Sequence, residues 1–433
     1  YEIRNCDWSS DVCSSDLDLH QLELSSLVAK AIPGPLSSLL VGDVPRQRLA
    51  EQLERQINGS DPPATALQRL ELALLERDIT PAKADEELRE LIPMVEAERR
   101  PLLQALLRGE RLPPDQQPAL LRPWKASTLV AQLSCEQLAG SSQECPGSRQ
   151  IGTLVLRLLG VTVLPGLLLL SGAVLIIREL WMLARGRLPA GPPLLGPPLG
   201  LVDATLLIAG GFVLVGEVLL PQVLLQPLQA LLHGLVGSET LAQGLQVLLL
   251  YLALTLVPLG LLRWMLSGVR PVPAAGWLQW GWRPPLSLLS AALQMLLLVL
   301  PAVAISGWLV DRLWRDPGGS NPMLELVLQG SDPFALACFA LTALVVAPLF
   351  EEILFRGVLL PVLGPWLGPI GAVLLSAALF AAAHLSLSEL IPLFVLGTGL
   401  GLLRLRTGRL AASVVMHALW NALTFANLIL LGG

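Results

Sequence analysis

The sequence predicts an all-α protein: a polytopic transmembrane helix bundle of about eight spans, preceded by a soluble helical domain. Three observations predict it. The 433-residue chain is 53% hydrophobic and only 15% charged, against roughly 25% charged for an average soluble domain. The charge is unevenly placed, with 23 Asp/Glu and 16 Lys/Arg in residues 1–150 but only 11 and 13 in residues 151–433. Beyond residue 150, apolar runs of about 18 to 25 residues recur, each long enough to cross ~30 Å of hydrocarbon. The boundary near residue 150 is therefore read as a change of solvent from water to lipid.

Taken in order, residues 1–17 (YEIRNCDWSSDVCSSDL) have clustered Ser and Asp and show no helix, strand or signal-peptide character. They are expected to be a cloning or sequence-assembly scar, with a genuine start, carrying a signal or anchor, lost upstream. Residues 18–134 read as a soluble helical domain. Thr80-Pro81 is an N-cap and first-turn pair opening a helix through Glu86, Glu87 and Arg89. Asp61-Pro62-Pro63 and Leu112-Pro113-Pro114 punctuate its neighbours. The Glu/Arg runs are read as solvated faces with i,i+4 pairs. Residues 135–150 form a Gly/Ser-containing linker, and Cys135 and Cys145 could close a loop in an oxidising compartment. Cys338, in an apolar run, is read as a small core residue.

Residues 151–433 form the transmembrane domain. Spans are placed near 153–177, 203–222, 243–262, 286–310, 333–350, 368–386, 389–403 and 410–431. Lipid leaves backbone polar groups no partner but the chain itself, so only helices or a closed barrel can cross it. The runs are continuous rather than alternating, which selects helices. Connections after spans 1, 3 and 7 carry Arg178, Arg185, Arg187, then Arg263, Arg270, Arg283, then Arg404, Arg406, Arg409; those after spans 2 and 6 carry no Lys or Arg. By the positive-inside rule the odd connections are cytoplasmic and both termini lie outside. The connection after span 4, with Arg312 and Arg315 beside Asp311 and Asp316, fits least. The formal net charge of -5 comes from the part before residue 150, and no basic patch is interleaved with aromatics, so no nucleic-acid partner is expected. The expected partners are the lipid bilayer and a membrane-associated peptide or protein substrate.

The chemistry gathers in the last hundred residues. Span 5 ends in Phe350-Glu351-Glu352-Ile353-Leu354-Phe355-Arg356-Gly357. An acidic residue at mid-bilayer costs about 2.5 to 3.5 kcal/mol on insertion scales, so two adjacent ones need an offsetting reason. Glu352 and Arg356 are i,i+4 neighbours able to pair, leaving Glu351 about 100° round the axis to face something else. A snorkelling interfacial ion pair is the bland alternative. Span 6 holds Phe380-Ala381-Ala382-Ala383-His384, a His among small residues that permit close helix approach. Span 8 holds His417-Ala418-Leu419-Trp420-Asn421, with His417 and Asn421 on one face. Singly, His384 could be a core imidazole on a carbonyl and Asn421 interhelical glue. Together, a carboxylate and an imidazole in a dry pocket can deprotonate a water, since desolvation makes a carboxylate a stronger base. Amide hydrolysis also needs oxyanion donors, which His417 and Asn421 can provide. The same set could offer Glu351, His384 and His417 to a zinc ion, leaving a fourth position for water.

The motifs EExxxR, FxxxH and HxxxN, in that order on successive membrane segments, resemble those of the CPBP family (CAAX prenyl protease and bacteriocin-processing, formerly Abi) of intramembrane endopeptidases. The likeness covers about residues 333–431. It implies that Glu351 is general base on the water, supported by Glu352 and Arg356, that His384 helps to hold the water, and that His417 and Asn421 line the oxyanion site. The resemblance admits a metal-dependent or a glutamate-type mechanism. The latter is expected, with no cofactor and with zinc as the alternative. No HExxH or GxSxG is present. Two readings from other classes stand beside it: a non-proteolytic membrane scaffold or immunity protein of the same fold, and a proton-coupled transporter using Glu351, His384 and His417 as a relay. Asp203 and Glu217, near span 2, are read as interfacial. The active site is expected toward the cytoplasmic side of the cell membrane, with the N-terminal domain outside.

Overall fold

The computed structural model describes residues 12–29, 41, 44–59, 65–113, 115–124, 127–139, 145, 151–187, 191–313 and 332–432. Every described regular element is helical, and the chain divides into one unit through Pro165 and a second from Gly166. The connection holding Arg315 and Asp316, most of residues 140–150 and residues 1–11 lie outside the described residues.

The first unit is built from α1 (Val12–Val28), α2 (Pro45–Gly59), α3 (Ala66–Glu76), α4 (Pro81–Met94), α5 (Arg100–Arg108), α6 (Gln117–Leu121) and α7 (Thr128–Ala139). α1 opens inside the stretch whose Ser/Asp composition suggested no helix. Thr65 and Gln68 form a capping box at the start of α3. Pro81 occupies the first turn of α4 as expected, although the Thr80 side chain makes no cap bond. Leu49, Leu70, Leu74, Leu88, Leu102 and Leu133 meet in one core, and Trp124 is buried with its indole N–H donating to Arg99 O at 3.0 Å. The charged runs differ from the i,i+4 expectation. Their strongest pairs join different helices: Arg46 with Asp78 and Glu136, and Lys83 with Glu54 and Glu76. Helices packed side by side bring distant residues as close as one turn does, and tertiary pairing wins here. Cys135 and Cys145 form a disulfide with Cα atoms 5.7 Å apart.

The spanning helices are α8 (Ile151–Ala184, which passes from the first unit into the second), α9 (Leu201–Leu235), α10 (Glu239–Leu266), α11 (Pro285–Leu313), α12 (Pro333–Ala383), α13 (Leu387–Thr407) and α14 (Leu410–Gly432). Seven continuous runs replace about eight expected spans for one reason. α12 is 51 residues long, ~75 Å if straight at 1.5 Å per residue, far beyond the hydrocarbon thickness. It is broken at Gly368, whose backbone is left-handed (φ 68°) between Pro365 and Pro369. Its two arms return on each other, with Ser376 Oγ donating to Phe355 O at 3.0 Å and the Phe355 and Phe380 rings 5.4 Å apart.

Close approach of α13 to the second arm of α12 depends on missing side chains. A Cβ on Gly397 would sit 3.1 Å from Ala377 Cβ and Phe380 Cδ1, and one on Gly401 would sit 2.9 Å from Val373 Cγ1. Small residues one turn apart let helix backbones approach where lipid supplies no hydrophobic drive. The arginine-bearing connections after spans 1, 3 and 7 gather at one end of the second unit. Arg409 donates to Gly281 O and Pro284 O, Arg406 pairs with Glu179 at 3.0 Å, and Gly408 lies against Pro192. Elsewhere, Ser238 caps α10 and donates to Asp332, which caps α12.

Candidate active site

Glu351 and Glu352 end a short α-helical stretch of α12 between two π-helical stretches, Thr342–Val346 and Ile353–Leu359. π-Turns widen the helix and often mark functional sites. Glu352, Arg356 and Arg404 are 0% exposed, His417 4% and Glu351 8%, so the charged groups face protein and not lipid. The i,i+4 pair forms: Arg356 Nη1 donates to Glu352 Oε1 at 2.7 Å. Its Nη2 donates to Gly397 O at 3.0 Å, and its guanidinium lies 4.5 Å from the centre of the Phe380 ring. One arginine thus ties together both arms of α12 and α13.

His417, on α14, bridges the two carboxylates. Its Nδ1 lies 3.1 Å from Glu352 Oε1 and its Nε2 lies 3.8 Å from Glu351 Oε2. The first is a hydrogen bond; the second is too long for one, and the two atoms face each other at close to van der Waals contact. The other oxygen of Glu351, Oε1, accepts from Tyr251 Oη of α10 at 2.6 Å. Glu351 Oε2 and Glu352 Oε2 are buried and make no hydrogen bond.

His384 ends the second arm of α12. Its Nδ1 is 2.9 Å from Phe380 O, which assigns the proton to Nδ1 and leaves Nε2 with its lone pair. The Phe380 ring packs edge-on against both imidazoles, 4.8 Å from His384 and 5.8 Å from His417. Asn421 Nδ2 donates to Ala343 O at 2.7 Å, in a π-helical stretch of α12. The structure therefore links Arg356 to Glu352 and Glu352 to His417, with Glu351 facing His417 at 3.8 Å. It holds His384 against them through Phe380 and ties Asn421 to the backbone one turn further along α14.

Among the described residues no three His, Cys, Asp or Glu side chains form a metal-holding group. Glu351, His384 and His417, the set that zinc would use, form no such group, although His384, with Nδ1 on a carbonyl, keeps Nε2 in the state usual for a ligand.

Three further polar groups belong to this neighbourhood. Glu217, expected at the interface, instead lies within electrostatic reach of Glu351, His384 and Tyr251. Its helix is held to the site by Phe212, whose ring is 5.3 Å from Phe350. Arg404 bonds Leu278 O and Gln279 Oε1 at 3.2 and 3.0 Å and approaches Arg356 O at 3.5 Å. The partly buried Leu278 side chain lies against Gly357. The rule that an intramembrane ionisable residue is functional until shown otherwise would have found Glu217. Tyr251 carries a similar signal: it sits near the middle of a 28-residue span, away from the interfaces where tyrosine usually lies, so its hydroxyl needs a partner.

Comparison with known families follows this geometry. Residues 333–423, holding every glutamate and histidine of the cluster except Glu217, match the model of the "Type II CAAX prenyl endopeptidase Rce1-like" family. This segment is a CPBP-family domain. CPBP domains of this type are peptidases, and the apolar helices around this one make the chain an integral membrane protein. Residues 14–156 match a second model, "Domain of unknown function (DUF8675)". No curated protein and no solved structure matches the chain at a significant level.

Proposed function

We propose that this chain is an intramembrane endopeptidase that hydrolyses a peptide bond of a membrane-associated protein or peptide, with Glu351 as general base. The observation that carries the reading is the pair of facing atoms Glu351 Oε2 and His417 Nε2, 3.8 Å apart and shielded from bulk solvent. A water beside this pair, within hydrogen-bond reach of both atoms, loses a proton to Glu351 as its oxygen attacks the scissile carbonyl. Glu351 then passes that proton to the leaving amine as the C–N bond breaks, so water divides between the new acid and the new amine. Glu352, paired with Arg356, holds His417 through Nδ1 and fixes which imidazole nitrogen faces the reaction. His384, whose Nδ1 is on a carbonyl and whose Nε2 keeps its lone pair, is the further group read as holding the water. A donor for the developing oxyanion comes from the second N–H of Asn421. Desolvation strengthens each of these interactions.

The gathering of the Arg-rich connections at one end supports a cytoplasmic assignment for that end and an outer location for the first unit. Maleimide labelling of cysteines placed in α4, in intact and in permeabilised cells, tests it; labelling only after permeabilisation refutes it.

The deciding experiment is cleavage of a fluorogenic peptide library by purified full-length chain in nanodiscs, with and without a strong chelator. Loss of cleavage in Glu351→Gln and in His417→Ala, with no response to chelation, is expected. Cleavage unchanged by either substitution refutes the assignment, and loss on chelation restored by zinc refutes the glutamate mechanism.

A further inference from the structure

The segment that matches the peptidase family begins at Pro333, yet the shortest polar contact to Glu351 comes from outside it, from Tyr251. A hydroxyl donating to a carboxylate at 2.6 Å is a charge-assisted bond, about twice as strong as a neutral one. A half-buried phenol inside a span needs some partner in any case, so the bond alone does not separate function from satisfaction. What separates them is the asymmetry it creates. Glu351 Oε1 is bonded to Tyr251, while the chemically equivalent Oε2 is buried with no hydrogen-bond partner and faces His417 Nε2. A carboxylate held on one oxygen only cannot exchange its two oxygens by rotation without breaking that bond. Tyr251 itself is held by the packing of α10 against α9, where Gly216 lies over Leu254, one turn along from Tyr251. On the other side, Phe212 of α9 packs edge-on to Phe350, next to Glu351.

We propose that Tyr251 is a positioning residue for Glu351: it holds Oε1 so that Oε2 is the oxygen presented to the water and to His417. The inference rests on the reading of Glu351 as general base. It makes the working site larger than the matched segment, with spans 2 and 3 needed to orient the base.

The test uses full-length protein in nanodiscs and the same fluorogenic peptide library. Tyr251→Phe keeps the ring and removes only the donor, so kcat falls about 10- to 100-fold, the range for a lost hydrogen bond to a charged group. KM stays within about twofold, since the binding surface is unaltered. Because the effect passes through Glu351, it disappears in a Glu351→Asp background, where the shorter side chain no longer reaches the phenol. Tyr251→His, which returns a ring N–H, recovers part of the lost kcat. If Tyr251→Phe yields no folded protein, the histidine variant is read instead: measurable turnover supports the inference, and loss as complete as with Glu351→Gln overturns it. Activity surviving Glu351→Gln would remove the peptidase reading itself. Activity lost in Glu351→Gln but kept within twofold in Tyr251→Phe would remove only the positioning role, as would an equal loss from Tyr251→Phe in both backgrounds.

Discussion

Replacing Arg356 by methionine keeps most of the side-chain volume and deletes one charge. The guanidinium is fully buried, bonds Glu352 at 2.7 Å and Gly397 O at 3.0 Å, and lies on the Phe380 face at 4.5 Å. Breaking one side of a buried ion pair costs about 3 to 5 kcal/mol, because the surviving charge is left uncompensated. Loss of a desolvated cation–π contact adds up to about 2 kcal/mol, partly overlapping with it. A destabilisation of about 4 kcal/mol is therefore expected for Arg356→Met. It should be visible as a lower midpoint for unfolding from mixed micelles, with proteolysis reporting the folded fraction. The double variant Glu352→Gln/Arg356→Met removes the stranded carboxylate and should recover at least half of the loss, whereas Arg356→Lys, which keeps charge but cannot reach both partners, should fall between. Two results would refute the reasoning: Arg356→Met as stable as the parent, or a double variant no better than the single one.

A second expectation concerns pH. Burial, with the charge of Glu23 in second place, pushes the Glu71 carboxyl in the first unit up to about 8 from 4.5. The folded state then keeps a proton that the unfolded chain gives up above about 4.5. The contribution is fully present below that pH and is lost as pH rises toward 8, by up to a few kcal/mol. Urea midpoints of α3, read by pulse proteolysis of the full chain, should fall over this window, and Glu71→Gln should flatten the slope. A midpoint rising with pH in the parent would contradict the assignment. Third, Gly397→Val should separate α13 from the second arm of α12 and displace the carbonyl that Arg356 uses, costing stability by about 2 to 4 kcal/mol and most of the cleavage activity. The control, Gly260→Ala, meets nothing within 4 Å and should leave both within experimental error; a Gly397→Val protein with parental activity would show that the close approach is dispensable.

The all-helical class and the approximate number of spans were legible in composition and run length alone, because lipid permits few solutions to backbone hydrogen bonding. The Glu352–Arg356 pair was legible for a similar reason, being local to one helix. The two arms of α12 were legible as spans 333–350 and 368–386, whereas the left-handed turn at Gly368 that folds one onto the other was not. Three-dimensional packing also decided what surrounds Glu351. Tyr251 lies 100 residues away in sequence and reads by itself as an ordinary span aromatic. Glu217 looked interfacial until α9 was placed against α10 and α12. A polar group inside a span signals that it needs a partner but not which helix supplies it, so the sequence alone determined the kinds of group present and the order of the spans, while tertiary contact decided which oxygen of Glu351 is held and which one faces His417.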